Sequence, residues 1–235
     1  QGVALKKLLE KEFPGAQVDI IDYRSNANIV YSSTFKQVLQ YGPCEIAKKG
    51  VQAIIKNTRK TIDIRLLQRK KLFQEFRKPY LTNKHIYTDV TLSELGKDYD
   101  CLICGSDQIW NPNVARPGFF LYGVGGSCRK ISYAASIARN NLSPYERATI
   151  VPLINDFNAI SVREKTAKKI LQPYLHLDKT VYEVLDPALM LSQKEWKHII
   201  GSEQEEKELY ALAFFFSDSW KYRQKIEIYC KKNGL

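Results

Sequence analysis

The sequence predicts an α/β protein: a Rossmann-like parallel sheet with helices flanking it on both faces. Two observations lead there. Short apolar runs alternate with stretches of helical period along the 235 residues, and strands that alternate with helices pair in parallel through crossover connections. The runs also end in small or polar residues, namely Gly105-Ser106-Asp107, Ser136, Arg163-Glu164 and Asp186-Pro187. Ligands of open parallel sheets bind beyond the carboxyl ends of the strands, so these positions are the first candidates for a site.

Taken in order, Val3, Leu5, Leu8, Leu9 and Phe13 recur at helical spacing until Pro14-Gly15 stops them. Gln17 to Tyr23 then reads as a strand. A helix that leads straight into a strand normally follows an earlier strand, so a first strand is expected upstream of Gln1. Ser25 to Phe35 reads as loop. Gln37 to Arg77 is helical in character, with a break near Tyr41-Gly42-Pro43 and an end at Pro79. Tyr80 to Val90 is expected to be irregular.

Cys101 to Gly105 reads as a buried strand, and a loop rich in glycine and aromatics follows. Lys130 to Ser136 is the next strand. Ser143-Pro144-Tyr145-Glu146 is a capping box with proline at the first helical position. The helix it starts runs toward Phe157, with an irregularity expected at Pro152. Further strands are expected at Ala159–Val162, Thr180–Leu185 and Leu209–Phe216. Helices are expected at Lys165–Leu171, Ser192–Ile200 and Ser219–Lys232. The Glu-rich stretch 202–208 reads as a linker. Residues 1–201 are thus expected to form one domain, and 202–235 a linker and the start of an incomplete second α/β domain.

Composition narrows the function. No apolar run approaches the roughly 20 residues that span a bilayer, and the first ten residues acquire charge too early for a signal peptide. A cytoplasmic location is expected. The five cysteines are an odd, scattered set, which is not a disulfide framework. Cys101 and Cys104 lie three apart on a strand and so point to opposite faces, and no metal site is expected. No GxGxxG or P-loop follows any strand. The net charge is +11, and twelve basic less three acidic residues between Glu45 and Lys84 leave +9 in one helical segment. That segment is either a solvated helical face or a surface resting on anionic lipid at the inner face of a membrane. No nucleic acid is expected as partner, because no RNP, helix-turn-helix or zinc module is present.

Several stretches together resemble the polysaccharide pyruvyl transferase family. Gly105-Ser106-Asp107-Gln108-Ile109-Trp110-Asn111-Pro112 is similar to its GSDQxWN signature. In the same order as the family come Val18–Arg24, Phe76-Arg77 with Tyr80-Leu81, Lys97–Asp100, Lys130–Ser136, Ala159–Glu164 and Val184–Pro187. The resemblance implies the first domain of a GT-B-like two-domain protein, truncated at both ends, with an opening strand and most of the second domain lacking. It implies transfer of the enolpyruvyl unit of phosphoenolpyruvate onto two hydroxyls of a sugar, with a glycan or lipid-linked saccharide as acceptor. That chemistry calls for no metal and no cofactor beyond the donor substrate.

The implied roles follow the positions. Arg163 would grip the donor's carboxylate or phosphate in bidentate fashion; a surface salt bridge to Glu164 or a nearby acid is the alternative. Asp107 would act as base toward a sugar hydroxyl, or else cap the local turn. Gly105, Ser106, Gln108 and Asn111 would contact the acceptor. Trp110 would offer an apolar platform, or else pack in the core. Ser136 and Asp186 would line the same crevice. A nucleotide-sugar glycosyltransferase of similar architecture and a non-catalytic basic module are the competing readings.

Overall fold

A computed structural model of the chain describes residues 1–25, 27, 29, 64–81, 85–201, 212–213 and 220–234. The expected break at Tyr41-Gly42-Pro43, most of the basic segment 45–84, the linker 202–208, most of the strand 209–216, and Cys44 lie outside the described residues. The chain divides into two compact units, Gln1–Leu191 and Ser192–Leu235.

The first unit is α/β. Its elements are α1 (Gly2–Glu12), β1 (Asp22–Tyr23), α2 (Ile64–Arg77), β2 (Ile86–Tyr87), α3 (Leu95–Asp98), β3 (Cys101–Cys104), β4 (Arg129–Ala135), α4 (Pro144–Asn155), β5 (Ala159–Val162), α5 (Lys165–Leu171) and β6 (Val181–Glu183). β1 pairs with β2, and β3-β4-β5-β6 form a second sheet in chain order. Every pairing is parallel. Parallel neighbours need a crossover, and helices α4 and α5 supply it for β4 to β5 and β5 to β6. The carboxyl ends of β3 to β6 therefore lie along one edge of that sheet.

Two expectations are corrected. The strand expected over 17–23 pairs only at Asp22–Tyr23, and residues 17–21 make no ladder. Within the expected irregular stretch 80–90, Ile86–Tyr87 forms β2 against β1. The pair has no local signal because its ladder bonds come from a strand over sixty residues away, and Arg24 N–H extends it by donating to the Tyr87 carbonyl at 2.9 Å.

The core lies on the larger sheet. Leu102, Ile160, Val162 and Val181 from the strands meet Ile150, Ile154, Ala167 and Leu171 from α4 and α5. Trp110 stacks on Phe120 at 6.2 Å and meets Phe157 edge-on at 5.7 Å. α4 starts at the expected capping box: Ser143 Oγ accepts from Glu146 N–H, and Glu146 Oε2 accepts from Ser143 N–H. It runs on through Pro152.

In the second unit, Ser192 and Glu195 form another capping box at the start of α6 (Gln193–Ile200), and Gly201 ends it at φ +71°. α7 (Trp220–Asn233) follows. Among the described residues no helix is long and apolar enough to cross a membrane.

Candidate functional site

The edge formed by the carboxyl ends of β3 to β6 is shaped by one irregularity. β4 runs from Ser132 to Ala135 while β5 runs only from Ile160 to Val162, so β4 carries an extra residue. Ala134 absorbs it with a left-handed φ of +52°. Two serines repair the ladder around this bulge. Ser161 Oγ accepts from Ala134 N–H at 3.1 Å and donates to the Ser132 carbonyl at 2.8 Å. Ser132 Oγ accepts from Ser161 N–H at 3.0 Å and donates to the Ser161 carbonyl at 3.1 Å. Bulges re-aim the chain beside many sites, and here the residue re-aimed is Ser136.

Beyond β3 the backbone keeps beside β4. Asp107, at φ +72°, bridges to Ala135, and its carbonyl accepts from Ser136 N–H at 2.9 Å. A short polar side chain such as Asp tolerates that left-handed conformation. Gly105 makes the approach possible, since a Cβ there would stand 2.0 Å from the Tyr133 carbonyl oxygen.

The side chains at this edge form one connected cluster. Arg163 donates through Nη1 to Asp186 Oδ2 at 2.8 Å and through Nη2 to Asp107 Oδ1 at 3.3 Å. Its Nε lies 3.8 Å from Glu164 Oε2. Ser106 Oγ and Gln1 Nε2 also donate to Asp186 Oδ2, at 3.0 and 2.8 Å. Burial disfavours the Asp186 carboxylate, but the Ala188 amide, the Arg163 guanidinium and the Ser106 hydroxyl outweigh it and hold the carboxyl below its ordinary range. Burial, and then the Asp186 charge, push the Tyr133 phenol up; its hydroxyl donates to the Met190 sulfur at 3.0 Å.

Ser106, Asp107, Arg163 and Asp186 are thus brought together, with Asp107 the most open (its side chain 64% exposed). Gln108 is exposed as well, whereas Trp110, Asn111 and Ser136 turn inward. Trp110 is 0% exposed and donates from Nε1 to the Phe119 carbonyl at 3.2 Å, so its ring offers no platform to a ligand. Its apolar area decides its place over the polar company it keeps in sequence. Asn111 is buried and donates to Gln108 Oε1 at 3.0 Å, while its own Oδ1 accepts from Asn113 N–H. Ser136 is buried and donates to Glu164 Oε1 at 2.8 Å.

Glu164 was missed as a residue of the site. The same Oε1 also accepts from the amides of Ile137 and Ala138 at 3.0 and 3.1 Å, and so ties the end of β4 to that of β5. An acid beside an arginine at a strand end was the available signal. Among the described residues no group of three His, Cys, Asp or Glu could hold a metal ion.

With three carboxylates around one guanidinium, the cluster can accept protons and hydrogen bonds from hydroxyl groups. It is a poor partner for a second strong anion. A family model described as polysaccharide pyruvyl transferase matches residues 1–234. The chain belongs to that family. No curated protein and no solved structure matches it. Pyruvyl transfer in polysaccharide biosynthesis is therefore the activity class, and the protein is a transferase. In this pyruvyl transferase the signature residues divide by burial: Trp110 and Asn111 hold the loop, while Asp107 faces outward.

Proposed function

We propose that the protein moves the enolpyruvyl unit of phosphoenolpyruvate onto two hydroxyls of a sugar, in a surface polysaccharide or its lipid-linked precursor. The strand-end cluster receives the sugar, with Asp107 as general base. The observation that carries this reading is the exposed Asp107 carboxylate held at 3.3 Å by Arg163, which Asp186 anchors from behind. In the reaction two sugar O–H bonds break and two C–O bonds form at C2 of the donor, while its C=C π bond and its C–O bond to phosphate break. One proton ends on the methylene carbon, making a methyl group, and the other leaves with phosphate. Asp107 takes the proton of the attacking hydroxyl. Arg163 is then a positioning residue rather than the donor's clamp. Its Nη1 and Nη2 are already committed to carboxylates, and a guanidinium facing three of them has little attraction left for a phosphate.

Phosphoenolpyruvate should raise the unfolding temperature, whereas UDP- and GDP-sugars should not; the reverse pattern rejects the reading. In a transfer assay, Asp107→Asn should lower kcat by about 10²–10⁴. Full activity in that variant would remove Asp107 from the chemistry. The exposed side chains of Leu72 and Phe73, beside Lys70 and Lys71 on α2, support peripheral contact with anionic lipid.

A further inference from the structure

A cleft of about 560 Å³ opens just past β1 and β2. Its walls include Tyr23, Arg24, Ser25, Asp89, Arg116 and Phe119, none of them among the candidate site residues read from the sequence. The size falls within the roughly 300–1,000 Å³ of small-molecule sites. The polar groups are fixed in place by the protein. The Tyr23 and Ser25 hydroxyls donate to the two different oxygens of Asp89. Tyr23 Oη also accepts from Gly118 N–H at 2.9 Å, and its ring meets Phe119 edge-on at 6.1 Å. The ring reaches that position because residue 118 is glycine, where a Cβ would stand 2.4 Å from Tyr23 Cζ.

The two cations of the wall differ. Arg24 donates to Asp22 Oδ2 at 2.7 Å. Arg116, half-buried, has no side-chain hydrogen bond or ion pair to the described residues. A guanidinium on a cleft wall with its donors uncommitted is suited to a carboxylate or phosphate. The cleft also holds a carboxylate for hydroxyl groups and an aromatic side chain for a ring face. These are the three contacts that an acidic sugar needs.

We propose that this cleft binds an anionic saccharide unit of the acceptor, with Arg116 on its carboxylate or phosphate, Asp89 on its hydroxyls and Phe119 against the ring. The proposal rests on the pyruvyl transfer reading and adds the acceptor's charge to it. The charge distribution supports the assignment. In the cleft wall Arg24 is paired with Asp22, which leaves the Arg116 guanidinium against the single Asp89 carboxylate, whereas one guanidinium faces three carboxylates at the Arg163 cluster. An anionic substituent is drawn to the first, and neutral hydroxyls are left for the second. The two walls are also joined. Phe119's carbonyl accepts from Trp110 Nε1 and Cys104 Sγ, at 3.2 and 3.3 Å, so the cleft is tied to the segment that carries Asp107.

Calorimetric titration of the whole protein with methyl glucuronoside, glucose 1-phosphate and neutral methyl glucoside tests this. At least one of the two anionic sugars should bind about tenfold or more tightly than the neutral one, and the tighter of the two identifies the anionic group. Arg116→Gln should abolish the preference without shifting the unfolding temperature, while Arg163→Ala should keep it. No binding of either anionic sugar, equal binding of all three, or a preference that survives Arg116→Gln overturns the proposal. So does displacement of the bound sugar by phosphoenolpyruvate, which would make the cleft the donor's. A sugar preference that depends on Arg116, with no thermal protection by phosphoenolpyruvate, would leave the cleft standing and reject the transfer reading.

Discussion

A methyl group is enough to test the packing at Gly105. A Cβ there would meet the Tyr133 carbonyl oxygen at 2.0 Å, and the backbone sits at φ +129°, so Gly105→Ala should cost about 3 kcal/mol or more in chemical denaturation. Ser161→Ala removes a hydroxyl that serves both Ala134 N–H and the Ser132 carbonyl. Each buried group left unpaired costs about 1–3 kcal/mol, and a drop in denaturation midpoint of that size is expected. Asp186 adds a pH dependence. Its carboxyl gives up its proton more readily folded than unfolded, so its stabilising effect is complete above about pH 5 and is lost as pH falls below about 4. Asp186→Asn should flatten that part of the stability curve. At this scale the sequence exposed the positions better than the roles. Ser106, Asp107, Arg163 and Asp186 stood out because they follow apolar runs. The inward turn of Trp110 and the Ser132–Ser161 exchange depend on neighbours far along the chain, and Glu164 matters through two amides just past the end of β4.

Elements whose ends carry their own chemistry were legible. Ser143 and Glu146 satisfy each other's backbone amides within one turn, so α4 announces itself locally; Ser192 and Glu195 do the same for α6. Ser143→Ala should lower stability by about 1 kcal/mol, read from the thermal midpoint. β3 and β5 were visible as short apolar runs. β1 was visible as the end of a longer expected strand, while the two residues of β2 were not, because a pair that short exists only through its partner. On α2, Leu67, Leu72, Phe73 and Phe76 are exposed among Arg69, Lys70, Lys71 and Arg77. The protein should therefore sediment with anionic vesicles at low salt and be released at high salt. Failure to bind at low salt would assign this helix to solvent.

Every residue of the main core lies between Tyr87 and Val181, inside the first unit. A chain of residues 1–191 should accordingly unfold in one cooperative transition by circular dichroism. The charge of +11 acts on the molecule as a whole. Its self-repulsion is screened by salt, so the unfolding temperature should rise between low ionic strength and about 0.15 M. The extra residue in β4 has a further consequence for the sheet, best seen as a shift of phase. Up to Ser132, β4 and β5 advance in step; from Ala135 onward β4 is one residue ahead. Side chains alternate faces, so one residue of phase exchanges the two faces for everything that follows. Deleting Ala134 would restore a regular ladder while drawing Ser136 back into the place of Ala135 and away from Glu164. The shorter chain would keep a sheet and lose the alignment of its edge, separating by one residue what folds from what works.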